Sequence, residues 1–154
     1  MCIRDSHCQS AQEVANYLEA HSAVEKVYYP GLKSHSQYEL AQRQMDGPGG
    51  MVTVVLKGGL SVATSFLEKV EIFSLAESLG GVESLIEHPA IMTHASIPAK
   101  QRAELGIDDG LVRLSVGIED VDDLIADIAV SYTHLRAHET LRYLVCRLLL
   151  EKKK

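Results

Sequence analysis

The chain has 154 residues, 46% apolar and 23% charged, with 11 glycines and 4 prolines; this is the composition of one folded domain with room for a core, and it excludes collagen-like or disordered sequence. The 21 acidic against 15 basic residues give a formal net charge of -6, which argues against nucleic acid as a partner. Cys2, Cys8 and Cys146 show no repeated CxxC spacing, so neither a disulfide framework nor a zinc finger is expected and a reducing, cytoplasmic setting fits; no apolar run reaches the roughly 18 residues of a membrane span, so no membrane partner is expected.

Taken in chain order, Ser10 with Glu13 three residues on matches a capping box, and Ala11, Val14, Ala15 and Leu18 supply one helical face, which predicts a helix to about His21. VEKVYYPG is a short β-leaning run stopped at Pro30-Gly31, and SQYELAQRQM reads as a second helix ended by GPGG. MVTVVLKGG predicts a strand with Val52, Val54 and Leu56 on one face and Met51, Thr53 and Val55 on the other, apolar enough on both to suggest cover on both sides. VATSFLEKV predicts a helix, IFSLAES a strand running into Gly80-Gly81, and SIPAKQRAEL a helix with Pro98 at its first turn. In LVRLSVGI, alternation sets Val112, Leu114 and Val116 against Leu111, Arg113 and Ser115, so Arg113 stands opposite an aliphatic stripe. VDDLIADIAV closes the order as a helix with Asp120, Asp122 and Asp123 near its positive end. Helices and strands interleave without a βαβ rhythm, which predicts a two-layer α/β or α+β domain with a sheet of three to five strands.

The ends read differently. MCIRDS and SYTHLRAHET resemble translated sequencing-adapter read-through, so residues 1–8 are expected to be a non-native leader and residues 131–154 a non-native basic tail. In that tail Leu141, Leu144, Val145, Leu148 and Leu149 have helical spacing among Arg142, Arg147 and Lys152 to Lys154, a pattern open to a basic amphipathic helix.

Few residues carry chemistry by pattern alone. His134 and His138 are spaced i, i+4 but lack the HExxH context, and His88 and His94 read first as hydrogen-bonding structural residues, so no metal site is expected. GPGG, KGG and LGG are ordinary turn signals and match no nucleotide-binding glycine pattern. Arg113 on its strand is open to two readings: a surface or ion-paired structural residue, or a guanidinium that clamps a small carboxylate, with Ala76-Glu77-Ser78-Leu79 nearby if the fold brings them close.

Two stretches, SLAESLGGVESLIEHPAIMTHASIP and GIDDGLVRLSVGIEDVDDLIADI, together with YPGLKSHSQYELAQRQMDGPGGMVTVVLKGG, resemble the C-terminal region of the Cys/Met metabolism family of pyridoxal-phosphate-dependent enzymes, which includes cystathionine gamma-synthase, cystathionine gamma-lyase and methionine gamma-lyase. The resemblance covers residues 9–130. It implies an α+β fold, the two-layer small C-terminal domain of fold-type I pyridoxal-phosphate enzymes, with a mostly antiparallel sheet and packed helices. It implies that Arg113 binds the α-carboxylate of an amino-acid substrate, that Ser78 and Leu79 lie at the same pocket, that Glu77 favours a substrate with a distal amino group, and that His94 and the LGG glycines shape the pocket wall. It also implies pyridoxal 5'-phosphate as cofactor and a homotetramer for the full-length enzyme, acting in transsulfuration on cystathionine or an O-activated homoserine. The family's cofactor-bearing lysine belongs to a preceding large domain; Lys26, Lys33, Lys57, Lys69 and Lys100 all lie in segments unlike its motif, so this chain is expected to be inactive alone. The alternatives are a methionine gamma-lyase-like fragment and a non-catalytic α+β interaction module.

Overall fold

The computed structural model describes residues 3–132. Helix α1 (Ile3–Ala20) buries Ala11, Val14, Ala15 and Leu18, the stripe its spacing predicts. It begins at Ile3, not at Ser10: Ser10 lies inside the helix and is buried, so the predicted capping box is not formed. The upstream turns are held by tertiary contacts that local propensity does not encode. His7 Nδ1 lies 2.6 Å from the Val116 carbonyl oxygen, and the Tyr29 hydroxyl donates to the Cys8 carbonyl.

The remaining elements are β1 (Val24–Tyr28), α2 (Tyr38–Gln44), β2 (Met51–Leu56), α3 (Gly59–Leu67), β3 (Ser74–Leu75), β4 (Leu85–Glu87), α4 (Ala99–Glu104) and β5 (Leu111–Ser115), followed by a helix over residues 121–132, here α5. The strands form a five-stranded sheet in the order β1-β2-β5-β4-β3. All neighbours run antiparallel except β3 and β4. This is the expected α+β arrangement with a mostly antiparallel sheet.

One face of the sheet carries the core. Val52, Val54 and Leu56 of β2, with Val112 and Leu114 of β5 and Val116 beyond it, pack against Val14 and Leu18 of α1, Phe66 of α3, and Leu124 and Ile128 of α5. The opposite face is only partly covered: Val55 is buried, while Met51 and Thr53 are half-buried. The expectation of cover on both sides of β2 therefore holds for one face and only in part for the other.

Several boundaries differ from the periodicity for identifiable reasons. Helix α3 starts at Gly59, three residues before the predicted start, because Gly58 adopts a left-handed φ of 107° that turns the chain directly out of β2. The strand predicted in IFSLAES shrinks to Ser74–Leu75. The amides of Glu71, Ile72 and Phe73 donate to the Asp127 carboxylate at 2.8, 3.0 and 3.3 Å instead of to a neighbouring strand. Strand β4 has no counterpart among the expected elements: it has three residues, all buried, and its third is a glutamate, which obscures the β pattern. Helix α5 runs two residues past its predicted end, into the segment expected to be tail. Ser131 and Tyr132 are buried there, the Tyr132 ring stacked on His21 and tilted against Phe66. His134, His138 and the Leu141–Leu149 stripe lie outside the described residues.

Candidate functional site

Arg113 occupies the middle of β5, with the buried Val112 and Leu114 on either side of it pointing into the core. Alternation therefore forces its side chain onto the less covered face. Residues directly opposite one another in a sheet share a face, and the register sets Tyr28 opposite Thr53, Thr53 opposite Arg113, and Arg113 opposite Glu87. A polar row thus crosses four strands, with Arg113 between a hydroxyl and a carboxylate.

Arg113 Nη2 is 2.8 Å from Glu87 Oε1, with the arginine side chain 27% exposed and the glutamate side chain 2%. Neither Glu87 oxygen receives a hydrogen bond from the described residues, so the ion pair is what offsets its burial. Burial pushes the Glu87 carboxyl above the usual carboxylate range; Arg113 opposes this, Glu77 adds to it, and His94 and His88 ease it, with the net result raised. Nothing in the sequence marks Glu87. The available signal is that a strand residue facing Arg113 from the next strand must be compatible with a buried positive charge, and that requires the register.

The segment carrying Glu77, Ser78 and Leu79 is anchored at both ends beside this row. The Ala76 amide donates to the Ile86 carbonyl on β4 at 3.0 Å, and the Gly80 amide donates to Ser115 Oγ on β5 at 2.8 Å. Glu77 lies within electrostatic reach of Glu87. Ser78 and Leu79 are exposed, and no hydrogen bond joins Ser78 to Arg113 among the described residues. The fold therefore brings Glu77 to the Arg113–Glu87 pair and holds Ser78 and Leu79 on the connecting span, open to solvent.

The two histidines separate. His88 is fully buried, its Nε2 2.9 Å from the Asp109 carbonyl oxygen, as expected for a structural residue. His94 is half-exposed, with Nδ1 2.8 Å from Thr93 Oγ1, so its hydrogen bond is a local one near the surface, and it lies within electrostatic reach of Glu87. Behind β4, Glu119 accepts from the Ser84 amide at 2.7 Å and the Ser84 hydroxyl at 2.8 Å, and Ser84 Oγ accepts from the Gly117 amide at 2.8 Å. This network ties the turn after β5 to the start of β4, and so fixes the strands that carry Arg113 and Glu87.

Chemically, a guanidinium held on a strand, with one nitrogen engaged by an internal acid and the side chain still partly open, can accept a small carboxylate. Among the described residues no group of three or more His, Cys, Asp or Glu could hold a metal ion, and no helix is long and apolar enough to cross a membrane. A cleft of about 360 Å³ lies between α1 and the 46–48 turn, lined by Arg4, Cys8, Gln12 and Pro48 among others, and shares no residue with the Arg113 cluster.

The family model for Cys/Met metabolism PLP-dependent enzymes matches residues 3–133. The chain is 58% identical over 125 residues to a cystathionine gamma-lyase of Dictyostelium discoideum, covering 81% of this chain and 32% of that protein. It is 56% identical over 124 residues to a cystathionine beta-lyase of Coxiella burnetii, covering 80% and 32%. The crystal structure of cystathionine gamma synthase from Xanthomonas oryzae pv. oryzae in complex with aminoacrylate and cysteine superposes with a TM-score of 0.82 at 46% identity, covering 87% of this chain and 35% of that one. The chain spans about a third of the length of these relatives.

Proposed function

The chain belongs to the Cys/Met metabolism PLP-dependent enzyme family, and on that footing we propose that it is the substrate-carboxylate-binding part of a transsulfuration enzyme, its small C-terminal domain, acting on cystathionine or an O-activated homoserine. The observation that carries this reading is the placement of Arg113: partly open, on a rigid strand, beside the anchored Glu77-Ser78-Leu79 span. Arg113 holds the substrate's α-carboxylate, Ser78 and Leu79 border it, and Glu77 favours a distal amino group on the substrate. The names of the three relatives above, gamma-lyase, beta-lyase and gamma synthase, concern cystathionine, while a 55% identical relative from Pseudomonas deceptionensis is named L-methionine gamma-lyase.

The family's cofactor, pyridoxal 5'-phosphate, is an electron sink for carbanion chemistry and requires a lysine amine for attachment together with a partner for its ring nitrogen. The described residues do not fit that demand. Lys26, Lys33, Lys57, Lys69 and Lys100 are all exposed, and the one ion pair of the Arg113 cluster is already internal. This part of the enzyme therefore orients substrate and leaves the cofactor to the rest of the protein, which in the full-length form is a homotetramer.

The chain mixed with pyridoxal phosphate and cystathionine should give neither a cofactor-linked absorbance change nor release of thiol or keto acid. In a full-length enzyme assembled with residues 9–130 in place of the matching segment of the Dictyostelium relative, Arg113→Ala should lower kcat/KM by about 100-fold. Unchanged turnover in that variant would defeat the clamp and leave a non-catalytic interaction module as the better account.

A further inference from the structure

Glu87 is a nearly inaccessible carboxylate whose ion-pair partner among the described residues is one guanidinium nitrogen at 2.8 Å, with His94 and His88 as weaker aids, and neither of its oxygens receives a hydrogen bond from a described residue. A ligand carboxylate arriving at Arg113 brings a second negative charge to the same cation, and Glu77 supplies a third nearby. Two carboxylates sharing one desolvated site do not both stay ionised, because their mutual repulsion is weakly screened there. Of the two, the one with less access to water is the more costly to keep charged, and that one is Glu87.

Resting on the carboxylate-binding reading of Arg113, we propose that Glu87 takes up a proton from solvent when a ligand carboxylate engages Arg113, so that binding at this site is proton-linked and Glu87 acts as the internal counter-ion the ligand displaces. The groups facing Glu87 are Arg113 from β5, Glu77 from the span after β3, His94 from the turn after β4 and His88 beside it. Burial already biases Glu87 toward its neutral form, and the arginine opposes that bias; diverting the guanidinium to a ligand removes the opposition. Glu87 is accordingly a positioning and affinity-setting residue, not a catalytic one.

The test uses the whole 154-residue chain, labelled with ¹³C and ¹⁵N, and propionate as the probe at pH 6 to 7, with sodium chloride at matched ionic strength as control. The Glu87 carboxyl carbon should move toward its protonated shift as propionate saturates Arg113. Calorimetry in buffers of different ionisation enthalpy should show proton uptake on binding. Glu87→Gln keeps the shape and removes the charge; it should bind propionate at least about threefold more tightly and without proton uptake. Glu87→Asp should restore the proton linkage, which a merely structural role would not do. Propionate binding that needs Arg113, judged by its loss in Arg113→Lys, but is accompanied by no protonation of Glu87 and no tightening in Glu87→Gln, overturns this proposal and leaves the clamp intact. Propionate binding indifferent to Arg113→Lys, or no saturable propionate binding by calorimetry, overturns both.

Discussion

Arg113 and Glu87 face each other across β5 and β4, with Nη2 and Oε1 2.8 Å apart, and the acid is by far the more buried of the two. Removing the arginine leaves an uncompensated charge in the sheet. Arg113→Ala should cost about 2 kcal/mol, less than for a fully buried pair because the guanidinium is partly solvated. Urea denaturation of the two proteins at neutral pH measures it, and a change below a few tenths of a kcal/mol would mean that water already compensates Glu87.

The same pair sets a pH dependence with a definite sign. Burial raises the Glu87 carboxyl above its ordinary value of 4.5 in the folded state, so between that value and the raised one the folded form holds more protons than the unfolded form. Stability contributed by Glu87 is therefore full below 4.5 and declines as pH rises through the folded value. Glu87→Gln should flatten that decline in a pH series of thermal denaturation; an identical slope in both proteins would assign the decline to another group.

Glu119 behaves in the opposite sense. Burial alone would raise its carboxyl, but hydrogen bonds, led by the one from the Ser84 amide, outweigh burial and its value is lowered below 4.5. Its contribution is present above 4.5 and is lost as pH falls through the folded value. Ser84→Ala removes a fully buried hydroxyl that bridges Glu119 and the Gly117 amide, and should cost about 1–3 kcal/mol at neutral pH. The deficit should shrink in acid, where Glu119 is protonated in both proteins; a deficit independent of pH would separate the hydroxyl from the carboxylate.

Gly117 is required for close approach of two backbone segments. A Cβ there would lie 2.5 Å from the Val82 carbonyl oxygen and 2.6 Å from the Glu83 carbonyl carbon, both backbone atoms that cannot rotate away. Gly117→Ala should destabilise the fold by about 1–3 kcal/mol and weaken the hydrogen bond from the Ile118 amide to Val82, now 3.0 Å. Faster exchange of the Ile118 amide is the local readout, and unchanged exchange would mean that the turn simply shifts as a unit.

Asp127 replaces the ladder that a longer β3 would have supplied. Its carboxylate accepts from three successive amides, and such charge-assisted bonds exceed neutral ones. Asp127→Ala should cost about 2–3 kcal/mol and expose the amides of Glu71 to Phe73 to hydrogen exchange. Exchange protection retained at those amides would show that α5 packing alone holds the segment.

By itself the sequence determined the class of fold, most of the elements and the face that Arg113 occupies. Period-two alternation around Val112, Leu114 and Val116 leaves an arginine no other side, and helical spacing in α1 and α5 names the residues that cover the sheet. Those are properties of consecutive residues, legible wherever burial is one-sided. Only the tertiary structure decided which acid meets that arginine, since Glu87 lies 26 positions earlier in a three-residue strand whose pattern is invisible alone. It also decided that Asp127 cuts β3 short and that α1 begins at Ile3, seven residues ahead of the start expected at Ser10, with His7 docked on the Val116 carbonyl. Each of these is a pairing between residues distant in the chain, fixed by sheet register and packing, and no local propensity carries that information.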